Sequence, residues 1–146
     1  MPGPRKKSSL VKITLGKLGK DWYHLFLAVY VNGKKCRFLI DTGASKSVID
    51  KTYFENHIGK EMLKTLSQET TGLHSSVAES HFGEIRELKI GNHKIADYSL
   101  AAIDLTHVNG AYQKFRKPKI QGILGSDLML SYKMIVDYGK LTVLLP

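Results

Sequence analysis

Most of this chain is built from short runs in which apolar and polar residues alternate, broken by Gly, Asn and Asp. Leu10–Leu15 alternates in this way and predicts a strand that ends in the stretch holding Gly16 and Gly19. Tyr23–Val31 and Lys35–Ile40 are β-rich runs joined by Asn32-Gly33. That dipeptide predicts a hairpin, because a type I′ turn needs positive φ at both central residues. The second arm runs directly into Asp41-Thr42-Gly43. Beyond Ser47-Val48-Ile49, the stretch Asp50–Ile58 reads as a short helix, with Asp50 as N-cap and Gly59 as the stop. Residues 65–83 are polar, rich in Ser, Thr and Gly, and show little periodicity. Glu84–Ile90 and Lys94–Leu105 are strand-like and meet at Gly91-Asn92, whereas the basic stretch Thr106–Lys119 reads as a loop. Ile120–Leu124 is a short apolar run. Ser126–Tyr132 reads as a helix capped by Ser126, and Met134–Tyr138 and Leu141–Leu145 as a final hairpin about Gly139-Lys140. Many short strands with one or two short helices imply a mostly β fold, a small barrel or sandwich.

Composition narrows the class. A chain of 146 residues with 42% apolar residues fits one core. Residues 1–9 read as a flexible basic tail and residues 10–146 as a single domain. The longest apolar run, Leu25–Val31, stops at Asn32-Gly33, well short of the roughly 20 residues a bilayer crossing needs. The amino-terminal stretch has basic residues with no apolar segment behind them, so it makes a poor secretory signal. Cys36 is alone, which excludes an internal disulfide and suits a reducing compartment. The expectation is a cytoplasmic protein with no membrane association.

Charge and histidines add candidate chemistry without carrying it. The net charge is +9, with lysines gathered early (Lys12, Lys34, Lys35 among them) and again at Lys114, Arg116, Lys117 and Lys119. Such charge can mark a nucleic-acid surface, but no nucleic-acid motif accompanies it, and a solvated lysine-rich surface is the preferred reading. None of the six histidines stands at the spacing of a helical metal pair, so surface histidines and no metal or cofactor are expected. Cys36 has no nameable activating base and reads as structural. Trp22, Tyr23 and Phe26 read as core or interface aromatics.

One motif does carry chemistry. Phe38-Leu39-Ile40 delivers Asp41-Thr42-Gly43 from a buried strand, and the small residues Ala44-Ser45 follow. Downstream, Gly122-Ile123-Leu124-Gly125-Ser126-Asp127 opens a short helix. Asp-Thr-Gly alone is equally a polar turn after a strand. Taken together, the two elements resemble those of the retropepsin-like aspartic peptidases, the small single-domain bacterial and cellular kind, over about residues 22–146. The resemblance implies a small closed β-barrel of the retropepsin type and an aspartic endopeptidase with Asp41 as its catalytic carboxylate. It implies Thr42 and Gly43 as active-site support, Thr42 bonding across a two-fold axis and the Gly43 amide reaching the carboxylate. It further implies Ala44, Ser45, Gly72, Leu73, Ile123 and Leu124 as substrate-binding positions, with Ile123 and Leu124 packed behind the Asp41 loop. Residues 66–83 fall where such proteins have a flap, with Gly72 at its tip. Viral members carry an acid and an arginine that pair at the positions of Ser45 and Ser126; both are absent here.

The chemistry sets a further demand. Hydrolysis without a metal or covalent nucleophile needs one carboxylate as base and another as acid, and two carboxylates about 3 Å apart share one proton and so supply both. The chain has a single Asp-Thr-Gly, and neither Asp104 nor Asp137 is followed by Thr/Ser-Gly. A homodimer acting on peptide or protein substrates is therefore expected, with an isologous interface about two Asp41 side chains. The alternatives are a catalytically silent peptide-binding or dimerisation module on the same fold, and a basic nucleic-acid-binding protein.

Overall fold

The computed structural model describes residues 7–68 and 78–146. Its strands are β1 (Ser9–Lys12), β2 (Thr14–Leu18), β3 (Trp22–Val31), β4 (Lys34–Ile40), β5 (Val48–Asp50), β6 (Leu63–Gln68), β7 (Ala78–Ile90), β8 (His93–Ile103), β9 (Gly122–Leu124), β10 (Ile135–Asp137) and β11 (Thr142–Leu145). Three short α-helices accompany them among the described residues, α1 (Lys51–Phe54), α2 (Thr106–Lys114) and α3 (Ser126–Ser131), and α1 continues into a π-helical turn (Glu55–Gly59) and a 3-10 turn (Lys60–Met62). The β3–β4 turn has the expected conformation, with Asn32 at φ 49° and Gly33 at φ 82°. Asn32 does more than turn the chain. Its N–H donates to the Glu87 carbonyl (2.8 Å) and its Oδ1 accepts from the Glu87 N–H (3.0 Å), which fastens the turn to β7.

That contact closes a ring. Strands β3, β4, β9, β5, β8 and β7 follow one another by hydrogen bonding, and β7 returns to β3 through Tyr30↔Lys89 and Val31↔Leu88. β2 extends the ring beside β3, and β6 extends it beside β7. The result is a mostly β, closed barrel of the retropepsin type. Leu25, Leu27, Val29 and Val31 alternate inward along β3 and meet Phe38, Ile85, Leu88 and Leu100 in the main core. A second sheet, ordered β1-β11-β10, adds Val143 and Leu145 to the same core. No helix among the described residues is long and apolar enough to cross a membrane.

Several elements depart from their sequence pattern. Residues 106–114 form helix α2 where a loop was expected. Leu105, Val108, Asn109 and Tyr112 lie at helical spacing and turn one face to the barrel, but the polar Asn109 and Gly110 obscure that face in the sequence. Asn109 is buried because its amide pairs with both the N–H (2.8 Å) and the carbonyl (3.0 Å) of Ile120. Leu10–Leu15 is not one strand: the chain changes partners at Ile13, so β1 joins β11 and β2 joins β3. Ser9 is in β1 rather than a tail, buried, with its Oγ accepting from the Asn92 N–H (2.8 Å). The cap of α3 is Gly125, with no side-chain bond, and Ser126 is the first helical residue. Not all histidines are at the surface, since His93 is buried against Ser9 and Tyr132. Phe26 is core as expected, whereas Trp22 and Tyr23 are exposed.

Candidate active site

The Asp41 loop is held from behind by a strand that arrives 80 residues later in the chain. β9 pairs in parallel with β4 (Phe38↔Gly122, Leu39↔Ile123, Ile40↔Leu124) and antiparallel with β5 (Val48↔Ile123, Ile49↔Gly122). It thus lies between the two strands that begin and end the loop. The Leu124 carbonyl accepts the Asp41 N–H at 3.0 Å, and the Ser126 N–H donates to the Ala44 carbonyl at 2.8 Å. Close approach explains both glycines of this element. A Cβ on Gly122 would stand 2.4 Å from the Phe38 ring and 2.6 Å from the Val48 carbonyl oxygen; one on Gly125 would stand 2.8 Å from that of Ala44.

Within the loop the Asp41 carboxylate is half-buried, and its Oδ1 accepts the Gly43 N–H at 3.0 Å. A Cβ on Gly43 would crowd that same oxygen at 3.3 Å. The Ala44 N–H closes the turn on the Asp41 carbonyl at 3.1 Å. Thr42, Gly43 and Ser45 are exposed, and Ala44 is half-buried. The structure therefore gathers Asp41, Thr42, Gly43, Ala44 and Ser45 in one turn with Ile123 and Leu124 behind it. Leu124 is fully buried in the main core, so it has no surface for substrate and the expected contact does not hold for it. Ile123 packs instead into the small cluster under α2. Gly72 and Leu73 lie outside the described residues, although β6 and β7 run antiparallel up to Gln68↔Ala78 as two arms of a hairpin.

Sequence reasoning missed the support beneath the loop. Ser47 is buried; its Oγ accepts the Gly125 N–H (2.8 Å) and donates to Asp127 Oδ1 (2.7 Å), and its N–H donates to the same oxygen (2.9 Å). Tyr98 donates its hydroxyl to Asp127 Oδ2 at 3.1 Å. Burial works to raise the Asp127 pKa, but the Ser47, Leu128 and Tyr98 donors prevail and hold it below the usual carboxylate range. This hydrogen-bonded tie joins the Asp41 loop to α3, the two segments that carry Ser45 and Ser126 in place of the viral ion pair.

A second set lies to the side. Tyr112, from α2, is pushed up to about 12 by burial, with the charge of Arg37 opposing the shift and that of Asp41 reinforcing it. Its hydroxyl is hydrogen-bonded to His24 Nδ1 at 2.8 Å. The Arg37 guanidinium lies 3.9 Å over the Phe26 ring, and Phe26 meets Tyr112 edge-on at 5.4 Å. Burial lowers the Arg37 pKa, and its Nε–H is shut off from solvent with no acceptor among the described residues, an omission that costs about 1–3 kcal/mol.

Four other aspartates are committed elsewhere. Asp50 caps α1 through the Tyr53 N–H and receives the Leu105 N–H; Asp104 receives the Thr106 N–H; Asp127 serves Ser47; Asp137 receives the Lys140 N–H.

Comparison with known proteins agrees with this geometry. A family model described as "Aspartyl protease" matches residues 27–128. The fold is similar to that of a retropepsin-like aspartic protease from Rickettsia conorii, with a TM-score of 0.60 and 18% identity over 95% of this chain and 91% of that one. It is also similar to the retroviral protease-like domain of Ddi1 from Leishmania major, with a TM-score of 0.52 and 15% identity over 80% of this chain and 82% of that one. Among curated proteins none matches the chain. With the family model covering most of its length and the barrel closed in the retropepsin manner, the chain belongs to the aspartyl protease family.

Proposed function

We propose that this protein is an aspartic endopeptidase that works as a homodimer, with Asp41 of each copy forming the catalytic pair. The observation that carries this reading is the Asp41 turn itself: one half-buried carboxylate, oriented by the Gly43 N–H at 3.0 Å and exposed along Thr42 and Gly43. The chain has a single Asp-Thr-Gly, and Asp50, Asp104, Asp127 and Asp137 are bound to structural donors, which supports a second copy as the source of the second acid. In such a pair one carboxylate takes a proton from the attacking water while the other, protonated, gives its proton to the scissile carbonyl oxygen. The tetrahedral intermediate then collapses as the amide nitrogen leaves with a proton. Titration belongs to the pair rather than to either side chain. Thr42 and Gly43 line the axis, Ala44 and Ser45 face the substrate, and the β6–β7 hairpin closes over it.

The test is Asp41→Asn assayed on an unfolded protein substrate at mildly acid pH, with sedimentation of both forms. Cleavage should fall by at least about a thousandfold, on the scale of losing an essential acid-base group, while fold and dimer persist. Full activity in Asp41→Asn, or a parent that cleaves as a strict monomer, would overturn the proposal.

A further inference from the structure

Two basic stretches remote in sequence come together over β3 and β4. Lys12, Lys35 and Lys119 line one groove with Arg37, Phe26 and Pro118, enclosing about 470 Å³. No acidic residue lines it. The two ion pairs among the described residues, Lys64–Glu84 and Lys94–Glu87, leave Arg37 out. The groove thus concentrates like charge around a half-buried guanidinium whose Nε–H has no acceptor among the described residues. Clustered cations without counter-charge repel one another, and a bound anion relieves that repulsion. The lining includes none of Asp41–Ser45, so the groove does not overlap the Asp41 turn.

The lining also selects among anions. The volume falls in the range of pockets that hold ligands of several groups, more than one inorganic oxyanion fills. Phe26 is only 1% exposed, so the groove has no open ring on which a nucleobase could stack. Cations interleaved with Pro118 suit carboxylates carried on short aliphatic stems. We propose that this groove is a binding site, distinct from the Asp41 turn, for an acidic peptide segment, with a carboxylate forked on Arg37 and Lys12, Lys35 and Lys119 supplying the surrounding charge. A guanidinium can present two parallel N–H donors to one carboxylate, the two-point geometry that Arg favours.

The experiment uses the full chain carrying Asp41→Asn, so that binding is read without cleavage and independently of whether the parent is a peptidase. A fluorescent peptide of alternating Glu and Ala is titrated by anisotropy, beside its Gln-Ala counterpart. Saturable binding of the Glu peptide alone is expected. Arg37→Lys keeps the charge but loses the fork and should weaken binding about tenfold, in line with a charge-assisted hydrogen bond. The exposed pair Lys12→Ala/Lys119→Ala should weaken it to a similar degree and flatten its salt dependence. That double variant decides the matter if Arg37→Lys unfolds. Equal binding of the Gln peptide, or undiminished binding by both variants, would overturn the proposal. So would displacement by inorganic phosphate or by oligothymidylate at lower concentration than the Glu peptide itself requires, the first marking a small-anion site and the second a nucleic-acid surface.

Discussion

Ser47 is the residue on which the loop and helix α3 most depend. It satisfies Gly125 and Asp127 together, so Ser47→Ala leaves a backbone N–H without an acceptor and a carboxylate short of a donor. Stability should drop by about 1–3 kcal/mol, measured by urea unfolding. Asp127 adds a pH signature. Its folded pKa is depressed, so the stability it contributes is complete above the unfolded value of about 3.9 and is lost as pH falls through the lower, folded value. Asp127→Asn should therefore reduce stability at neutral pH and make the acid limb of the unfolding profile shallower. A profile that keeps its slope would separate Asp127 from acid stability. Asp41 was legible because its motif is local. Ser47, Asp127, Tyr98 and Tyr112 were not, since their roles arise from partners 29 to 88 positions away, which no short window contains.

Among the elements, the strands and hairpin turns were read most readily, because period-two alternation and Asn-Gly chemistry are written in adjacent residues. Helix α2 was hidden, since its buried face includes an asparagine that only the Ile120 backbone makes tolerable. β9 is three residues long and would be unremarkable but for its place between β4 and β5. Gly122→Ala is expected to force Phe38 and Val48 apart, with a stability loss of about 1–3 kcal/mol and a larger fall in cleavage. Because the methyl acts behind Asp41, peptide turnover should suffer more than unfolding temperature, and comparison of the two separates a site effect from a general one. Cys36 fits the structural reading made from the sequence. It is buried, burial raises its pKa, and it contacts the Tyr53 hydroxyl at 3.2 Å, so the folded protein should resist alkylation until denaturant is added.

For the molecule as a whole, net charge governs how two copies meet. Each carries +9, so bringing them together is opposed at long range. The Debye length shrinks from about 30 Å at 0.01 M salt to about 8 Å at 0.15 M, so the proposed dimer should tighten as salt is added across that interval. Sedimentation equilibrium at several salt concentrations reads this directly; a dimer that loosens with salt would instead place complementary charges across the interface. The mostly β class and the Asp41 turn were visible in the sequence, whereas the ring of strands was not, because closure joins β3 to β7 across some 57 residues. The placement of β9 also has a consequence in time. During synthesis the segment from β4 to β5 emerges long before residue 122, and the strand that must lie between them does not yet exist. Contacts this distant form late, after a long loop has been closed. A growing chain therefore holds Asp41 on an unframed loop until residues 122–124 have been made and can insert between β4 and β5.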